Sequence, residues 1–256
     1  MIIDSHCHLN YFAEDDIPKL IQDAEENDVK LLHTICTKIM EFKDLLRISE
    51  LYNQVYTSVG IHPLNAADEY IKSEDLIKLT ENKKVISIGE TGLDFYKSND
   101  KESQEKSFIS HIEAAKITQL PIVIHSRDAD SRMIDILRSE MKVGNFKGVL
   151  HCFSSSKELA YQAIDLGIYV SFSGIITFKN SDSLRKIVSS VPQEYVLVET
   201  DAPFLSPEPY RGKKNEPKMV KYVVDCIAKL WNKESSEIAK ITTSNFLKLF
   251  SKVNFL

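Results

Sequence analysis

Residues 84–125 have the sequence KVISIGETGLDFYKSNDKESQEKSFISHIEAAKITQLPIVIH, and this stretch predicts one complete strand–helix–strand unit. The apolar, β-branched runs at 84–89 and 121–124 are typical of buried strands. Between them, apolar residues recur every three or four positions across 102–119, which predicts a helix with one face packed on a sheet. Pro121 disfavours helical geometry in the residue before it, so the helix should end there. Two strands joined by a crossover helix predict parallel pairing.

The rest of the chain repeats the pattern of this unit. Six further apolar runs predict strands at 1–5, 30–34, 54–59, 147–150, 168–171 and 195–198. Together with the two strands of the first unit, this makes eight. Alternating strands and helices predict an α/β fold with a parallel sheet, and eight such units can close into a TIM (β/α)8 barrel. An open, doubly wound sheet has the same local signals, so periodicity leaves closure undecided. After the eighth strand, the pattern predicts a loop at 201–217 and extra C-terminal helices at 218–230, 234–240 and 243–250.

Length and composition limit the classes of protein to which the chain can belong. Its 256 residues suit one barrel, and we expect a single domain over 1–256. No apolar run approaches the roughly 18 residues of a membrane span, and the apolar stretch at 1–3 is too short for a signal peptide, so we expect a soluble, cytoplasmic protein. Four cysteines without CxxC spacing predict reduced thiols. A net charge of −5 argues against broad attachment to nucleic acid and confines any such contact to a local basic patch.

Side chains of the metal-ligand type collect where the predicted strands end. His6 and His8 alternate along the first strand, so both imidazoles face one side and can reach one ion. An HxH pair alone also fits two hydrogen-bonded core histidines. Four further predicted strands end at a ligand-type residue, namely Glu90, His125, His151 and Asp201. The C-terminal strand ends of a barrel share one face, so these six side chains predict a common metal site.

The composition of this ligand set predicts two divalent ions. Several imidazoles with carboxylates suit Zn²⁺, Mn²⁺, Fe²⁺ or Ni²⁺ better than Mg²⁺, which prefers oxygen ligands. Six ligands exceed what one tetrahedral ion with an open position uses, whereas two ions bridged by Glu90 would share them. The remaining ligands then form two groups: His6, His8 and Asp201 for one ion, and His125 and His151 for the other. Two ions about 3.5 to 4 Å apart can generate a hydroxide near neutral pH, which suits phosphodiester hydrolysis.

Seven short motifs follow one another along the chain: DSHCHL at 4–9, GIHP at 60–63, GETGLDFY at 89–96, HSRDA at 125–129, HCFS at 151–154, ETDAPFL at 199–205 and RGKKNEP at 211–217. In these motifs, and over essentially its whole length, the chain resembles the TatD-type deoxyribonucleases and metal-dependent hydrolases of the amidohydrolase superfamily. The resemblance implies the same six metal ligands, with Glu90 in place of the carbamylated lysine of other amidohydrolases. It also implies that Asp201 holds and deprotonates the attacking water. Thr91 and Ser155 depart from the isoleucine and glycine that are frequent in these motifs, and neither change removes a ligand.

Two of the six arginines fall in predicted loops of the active face. A guanidinium can grip phosphate through two hydrogen bonds, which lysine cannot match geometrically. We therefore expect Arg127 and Arg211 to contact substrate phosphate. The alternative is that loop carboxylates such as Asp128 or Glu216 hold these arginines in place.

Three other residues near the predicted site have candidate roles. His62 could contact substrate or donate a proton, or it could simply fix its own turn. Tyr96 could stack on a base, although aromatic residues in loops more often pack against the protein. Glu199 should orient a ligand side chain by hydrogen bonding. The two histidines away from strand ends, His33 and His111, should be structural or exposed.

These predictions lead to three functional hypotheses. The first is hydrolysis of phosphodiester bonds in DNA, from a 3′ end and with a preference for single strands, because these reach a barrel mouth more easily than a duplex. The second is attack on an ester or amide, as in a D-aminoacyl-tRNA deacylase, so the partner would be DNA or tRNA. The third is a metal-binding interaction protein without turnover. No membrane and no obligate protein partner is implied.

Overall fold

The computed structural model describes residues 1–254 and contains an eight-stranded parallel sheet. All eight predicted strands are present. They are β1 (Ile2–Cys7), β2 (Val29–Thr34), β3 (Val55–Val59), β4 (Val85–Asp94), β5 (Ile122–Arg127), β6 (Gly148–Leu150), β7 (Tyr169–Phe172) and β8 (Val196–Val198). The predicted domain runs to residue 256, so its last two residues lie outside the described range.

Helices follow the strands around the sheet, as the sequence pattern predicts. Within residues 1–254 they are α1 (Ile17–Glu26), α2 (Phe42–Leu51), α3 (Ser73–Leu79), α4 (Lys101–Thr118), α5 (Asp130–Val143), α6 (Lys157–Asp165), α7 (Asp182–Val188), α8 (Val220–Trp231) and α9 (Ser235–Leu249). None of these helices is long and apolar enough to span a bilayer. The predicted break at 240–243 is wrong, because α9 runs through it. Thr242 is buried there, and its hydroxyl donates to the carbonyl of Ile238 within the same helix, 3.0 Å away.

The sheet closes into the predicted TIM barrel. Neighbouring strands pair in chain order from β1 to β8. Closure is made by β1 and the segment after β8, where Cys7 forms a parallel bridge with Ala202. The amide of Asp201 donates to the carbonyl of His6 at 2.9 Å, and the amide of His8 donates to the carbonyl of Ala202 at 2.7 Å. Closure therefore occurs beside two of the predicted metal ligands.

Two strands extend further toward the active face than the sequence predicts. β4 ends at Asp94 instead of residue 89, and β5 ends at Arg127 instead of residue 124. The polar, glycine-containing end of β4 stays in the sheet because β5 pairs with it, with Gly92 opposite His125 and Asp94 opposite Arg127. Arg127 is consequently the last residue of a strand and not part of a loop.

The barrel interior is layered along its axis. At the end away from the predicted metal ligands, buried hydrophobic side chains from seven strands form one cluster with Phe246, Leu249 and Phe250 at the end of α9. A polar layer follows, in which the ring nitrogens of His33 contact the Ser5 carbonyl and the Ser87 hydroxyl at 3.1 and 2.9 Å. The ligand side chains lie beyond this layer. The interior is thus filled, and the open end of the barrel is the one that carries the ligands.

Candidate metal centre

The six predicted ligands converge at the C-terminal end of the barrel. His6 lies in β1, Glu90 in β4 and His125 in β5, whereas the other three residues follow the ends of β1, β6 and β8: His8, His151 and Asp201. His6 and Glu90 are fully buried within the barrel. Strand alternation placed His6 and His8 on one face, and their Nε2 atoms lie 3.2 Å apart.

One group of ligand atoms forms around the β1–β8 junction. The Nε2 atom of His6 is 3.4 Å from Oε2 of Glu90 and 3.6 Å from Oδ1 of Asp201. The Nε2 atom of His8 is 3.3 Å from the same oxygen of Asp201. His6, His8 and Glu90 therefore offer ligand atoms that all lie within 4.8 Å of one another, and Asp201 adds an oxygen beside both histidines.

A second group forms around the other oxygen of Glu90. Its Oε1 atom is 2.7 Å from Nε2 of His151 and 3.1 Å from Nδ1 of His125. The Nε2 atom of His62 lies 3.4 Å from the same oxygen. The two oxygens of one buried carboxylate thus face two different sets of imidazole nitrogens.

The spacing between imidazole nitrogens in each group fits a shared divalent ion. Two donor atoms that each lie about 2.1 Å from one ion are about 3.0 to 3.4 Å apart in octahedral or tetrahedral geometry. The nitrogens of His6 and His8 are 3.2 Å apart, and those of His125 and His151 are 3.3 Å apart. Imidazole nitrogens with carboxylates are also the donor chemistry that zinc and its neighbours prefer. The residues present therefore fit a metal centre.

Each of three ligand histidines is oriented by a hydrogen bond from its second ring nitrogen. His8 donates Nδ1–H to the Ile35 carbonyl at 3.2 Å. His151 donates Nδ1–H to Oε1 of Glu199 at 3.3 Å, so Glu199 lies where the sequence predicts an orienting group. The third histidine, His125, donates Nε2–H to Asp94. These bonds fix the tautomer that turns an unprotonated nitrogen toward the ions.

Asp94 is a functional candidate that sequence reasoning missed. Its Oδ2 atom lies 3.1 Å from Nε2 of His125, and its Oδ1 accepts from the Lys97 amide at 2.8 Å. Asp94 is buried, and its own amide donates to the side chain of Gln104. The sequence pattern predicts a strand that ends at residue 89, five residues before Asp94. Asp94 lies four positions after Glu90, so in one continuous strand both side chains face the same side, and this spacing could have identified it from the sequence.

The electrostatics of the centre favour ionised carboxylates. Burial opposes ionisation of Glu90, but His151 and His62, with hydrogen bonds from His125 and His151, hold its pKa well below the usual value. Burial likewise opposes ionisation of Asp201, and its hydrogen bond with His8 lowers its pKa. Two negative charges in a buried site call for cations.

The ligand histidines differ in their preference for a proton. Burial and the charge of His151 lower the pKa of His6, which keeps this imidazole in the neutral form that binds metal. Burial also opposes the charge on His151, but Glu90 and Glu199 raise its pKa well above the usual value. Without ions, His151 therefore carries a proton that metal binding must release.

The contacts of His62 bear on both of the roles that the sequence leaves open. Its Nδ1 accepts from the Leu64 amide at 3.1 Å, so it fixes its own turn. The proton of the neutral ring is then on Nε2, which faces Glu90 and lines the cavity. Burial is the main cause that lowers the pKa of His62 to about 3. His62 is therefore a neutral donor at the mouth of the site.

The predicted substrate contacts fall in two places. A cavity of about 680 Å³ opens over the ligands, and Arg127 lines it together with Lys38 and Lys97. The Arg127 guanidinium lies over the ring of Tyr96, 4.1 Å from its centroid. The Arg211 guanidinium instead lies 3.6 Å from the ring centroid of Phe178, and Arg211 and Tyr96 are outside the lining of the cavity.

The remaining two histidines are structural. His33 and His111 are fully buried. Nε2 of His111 accepts from the Ile61 amide at 3.0 Å, and its Nδ1–H donates to the Ser107 carbonyl at 2.7 Å. Of the two predicted alternatives, structural or exposed, the burial and hydrogen bonds of these histidines support the structural one.

Comparisons with known proteins agree with this geometry. A sequence model of the TatD related DNase family matches residues 3–251. An uncharacterized metal-dependent hydrolase of Escherichia coli K12, YcfH, is 42% identical over 257 residues, which cover 97% of this chain and 95% of that protein. The crystal structure of YJJV, a TatD homolog from E. coli K12, superposes with a TM-score of 0.90 at 27% identity over 98% of both chains. An uncharacterized amidohydrolase from Saccharomyces cerevisiae shares the fold, with a TM-score of 0.83 at 18% identity over 97% of this chain and 99% of that one. The chain therefore belongs to the TatD related DNase family.

Proposed function

We propose that the chain is a metal-dependent hydrolase that cleaves phosphodiester bonds of DNA. The observation that carries this proposal is the division of ligands by Glu90, whose two oxygens face His6 on one side and His125 and His151 on the other. Such a division suits two ions, and a two-ion site suits phosphate chemistry. Membership of the family supports the same conclusion.

Different residues of the chain would bind the ions and transfer the proton in the proposed reaction. One ion would be held by His6, His8, Asp201 and Glu90, and the other by His125, His151 and Glu90. When bound, two ions would supply an acidic water near neutral pH and stabilise charge on phosphate oxygens. We assign to Asp201 the role of orienting this water and taking its proton, and the hydrogen bond with His8, which lowers the pKa of Asp201, supports this role.

Arg127 is the first candidate for phosphate recognition. It lines the cavity, and its stacking on Tyr96 holds the planar guanidinium in one orientation. Arg211 keeps the same predicted role, but its guanidinium lies against Phe178 and outside the cavity lining. We therefore expect the larger effect from Arg127.

The size of the cavity supports a substrate end over a duplex. About 680 Å³ suits one or two nucleotides inside the barrel mouth, whereas paired bases would have to separate to enter. We therefore propose removal of nucleotides from a single-stranded end, with the 3′ end as the expected polarity.

The test is hydrolysis by protein stripped of metal and then loaded with Zn²⁺, Mn²⁺, Ni²⁺, Fe²⁺ or Mg²⁺ in turn. Substrates are single-stranded and duplex DNA labelled at the 5′ or 3′ end, and a D-aminoacyl-tRNA. We expect stepwise shortening of single-stranded DNA from the 3′ end. Asp201→Asn should lower kcat by at least about 10²-fold, since it removes the proton acceptor.

Matched arginine variants and the acylated RNA complete the design. Arg127→Ala should raise KM for DNA more than Arg211→Ala does, and unchanged turnover in both variants would reject phosphate recognition by these residues. Release of the amino acid from tRNA without cleavage of DNA would contradict the nuclease proposal and indicate a deacylase. Stoichiometric metal binding without hydrolysis of either substrate would favour a non-catalytic metal-binding protein.

A further inference from the structure

The mouth of the barrel has two chemically different sides. Tyr11 follows β1 and Phe204 follows β8, and both line the cavity with exposed fractions of 37% and 50%. Lys97 follows β4 and Arg127 ends β5, and both also line the cavity. Since the strands are arranged in chain order around the barrel, the β1–β8 junction lies across the mouth from β4 and β5. Tyr11 and Phe204 therefore face Lys97 and Arg127 across the mouth, with the predicted metal ligands between them, and Lys38, which follows β2, also lines the cavity.

The aromatic side is held in place by the protein. The ring of Tyr11 stacks on His8 with centroids 5.0 Å apart, and its hydroxyl is 2.7 Å from Oγ1 of Thr37. Phe204 lies edge-on to Tyr11, with centroids 6.0 Å apart. The side-chain amide of the buried Asn215 donates to the Phe204 carbonyl at 2.6 Å. We call this pair, Tyr11 and Phe204, the aromatic wall.

Packing within the protein accounts for only part of the aromatic wall. Tyr11 supports His8 from the side, which is a structural reason for one ring. Phe204 leaves half of its surface exposed beside a cavity that contains charged ligands. A rigid, exposed ring beside a polar site is a stacking surface for a flat ligand, and aromatic stacking contributes to binding of every base because each base has a π face.

We propose that the aromatic wall stacks the base of the nucleotide whose phosphodiester bond is cleaved, while Arg127 and Lys97 hold the next phosphate on the opposite side. This inference rests on the proposed function and specifies its substrate as an unpaired end. In this arrangement the base stacks near the β1–β8 junction, and the phosphodiester bond of the nucleotide lies over the predicted metal ligands. The rest of the DNA strand leaves the mouth toward β5. Stacking of this kind is independent of sequence.

The test compares two single-stranded DNA oligomers that differ only at the 3′-terminal nucleotide, which is either intact or abasic. The measured quantity is the ratio of kcat/KM for the intact end to kcat/KM for the abasic end. We expect a ratio of about 10 for the wild-type protein, because one stacked base is worth about 1–3 kcal/mol. Phe204→Leu keeps an apolar side chain without the π face, and it should bring the ratio close to 1.

Two further variants separate stacking from general damage. Phe204→Tyr retains the ring and should keep the wild-type ratio within about twofold. Tyr70→Leu removes an exposed tyrosine that does not line the cavity and should also keep it. A wild-type ratio of 1, or an unchanged ratio in Phe204→Leu, would overturn the proposal.

A binding experiment keeps the inference testable if DNA is not the substrate. Saturation-transfer NMR on the metal-free protein measures contact with the H2 and H8 protons of dAMP, and deoxyribose 5-phosphate serves as the ligand without a base. We expect transfer to the base protons in the wild type and in Phe204→Tyr, and its loss in Phe204→Leu. Equal transfer in all three proteins would exclude the aromatic wall as the base site, whatever bond the enzyme hydrolyses.

Discussion

At the scale of single residues, Asp94 determines which nitrogen of His125 faces the ions. When the His125 ring is neutral, the carboxylate accepts its Nε2 proton, and Nδ1, beside Glu90 and His151, is the nitrogen left free to bind an ion. An anionic acceptor also makes the imidazole a stronger electron donor toward a metal. Asp94 therefore acts on the ions through His125 and is a positioning residue.

We predict that Asp94→Asn weakens binding of the metal ion proposed between His125 and His151 by about 10- to 100-fold. The amide removes the negative charge and the oxygen that accepts the His125 proton. Asparagine can still accept from the Lys97 amide, so the local turn is kept. The measurement is calorimetric titration of the metal-free protein with Zn²⁺ or Mn²⁺. Asp135→Asn, on the exposed face of α5, is the control and should bind both ions as the wild type does. Equal affinities in the two variants would show that Asp94 has no such role.

Sequence reasoning predicted six ligand candidates that the structure brings together, but not all of the groups that orient them. His6, His125 and His151 were found because a ligand-type side chain at the end of an apolar run is visible in one dimension. The carbonyl of Ile35 cannot be found in this way, since a backbone acceptor leaves no mark in the sequence. Asp94 could have been found, but only with β4 extended correctly.

At the scale of secondary-structure elements, strand ends and helix breaks were the features hardest to predict. β4 continues to Asp94 because β5 supplies hydrogen-bond partners, whereas its own residues after 89 lack strand-forming character. A Cβ atom added at Gly60 would lie 2.5 Å from the backbone of Gly89, so these strands approach each other as only glycine allows. Such contacts between distant segments are decided by tertiary packing, which local propensity does not contain.

His111 joins α4 to the end of β3 and gives this junction a pH dependence. The imidazole accepts from the Ile61 amide, so protonation would break the bond that holds the two elements together. Burial lowers the pKa of His111 to about 4, below the value of about 6.5 expected in the unfolded chain. Between these two pKa values the folded state therefore binds fewer protons than the unfolded chain. The contribution of His111 to the unfolding free energy is fully present above about pH 6.5 and is lost as the pH falls toward 4.

We predict that His111 accounts for about 2 kcal/mol of the loss in unfolding free energy between pH 7 and pH 5. His111→Gln should flatten the pH dependence by this amount, because glutamine does not titrate. The measurement is urea unfolding at both pH values, with a chelator present so that metal binding does not contribute. Glu113→Gln, on the exposed side of the same helix, should keep the wild-type slope. An equally steep slope in His111→Gln would assign the acid sensitivity to other groups.

At the scale of the whole molecule, closure of the barrel was the step that the sequence pattern left open. Eight alternating units allowed both a barrel and an open sheet, and the decision depends on contacts between the two ends of the chain. Thr200 and Asp4 provide one of these contacts, since the Thr200 amide and hydroxyl donate to the Asp4 carboxylate at 2.9 and 2.6 Å. Residues separated by 196 positions cannot be paired by periodicity. Closure brings His6 and His8 to Asp201 and so completes one half of the ligand set.

The charge of the whole chain gives a final prediction about the strength of nucleic-acid binding. A net charge of −5 opposes long-range attraction of DNA, and among the described residues the basic side chains that line the cavity are Lys38, Lys97 and Arg127. If single-stranded DNA replaces about three counterions at these groups, the logarithm of its association constant should fall with the logarithm of salt concentration with a slope of about −2. Fluorescence anisotropy of a labelled oligomer with Asp201→Asn, measured from low to moderate salt, gives this slope. Arg127→Ala should make it shallower by about 0.7, whereas Lys248→Ala, on α9 at the opposite end of the barrel, should leave it unchanged. A slope steeper than about −5 would mean that DNA follows a much larger basic surface than the barrel mouth provides.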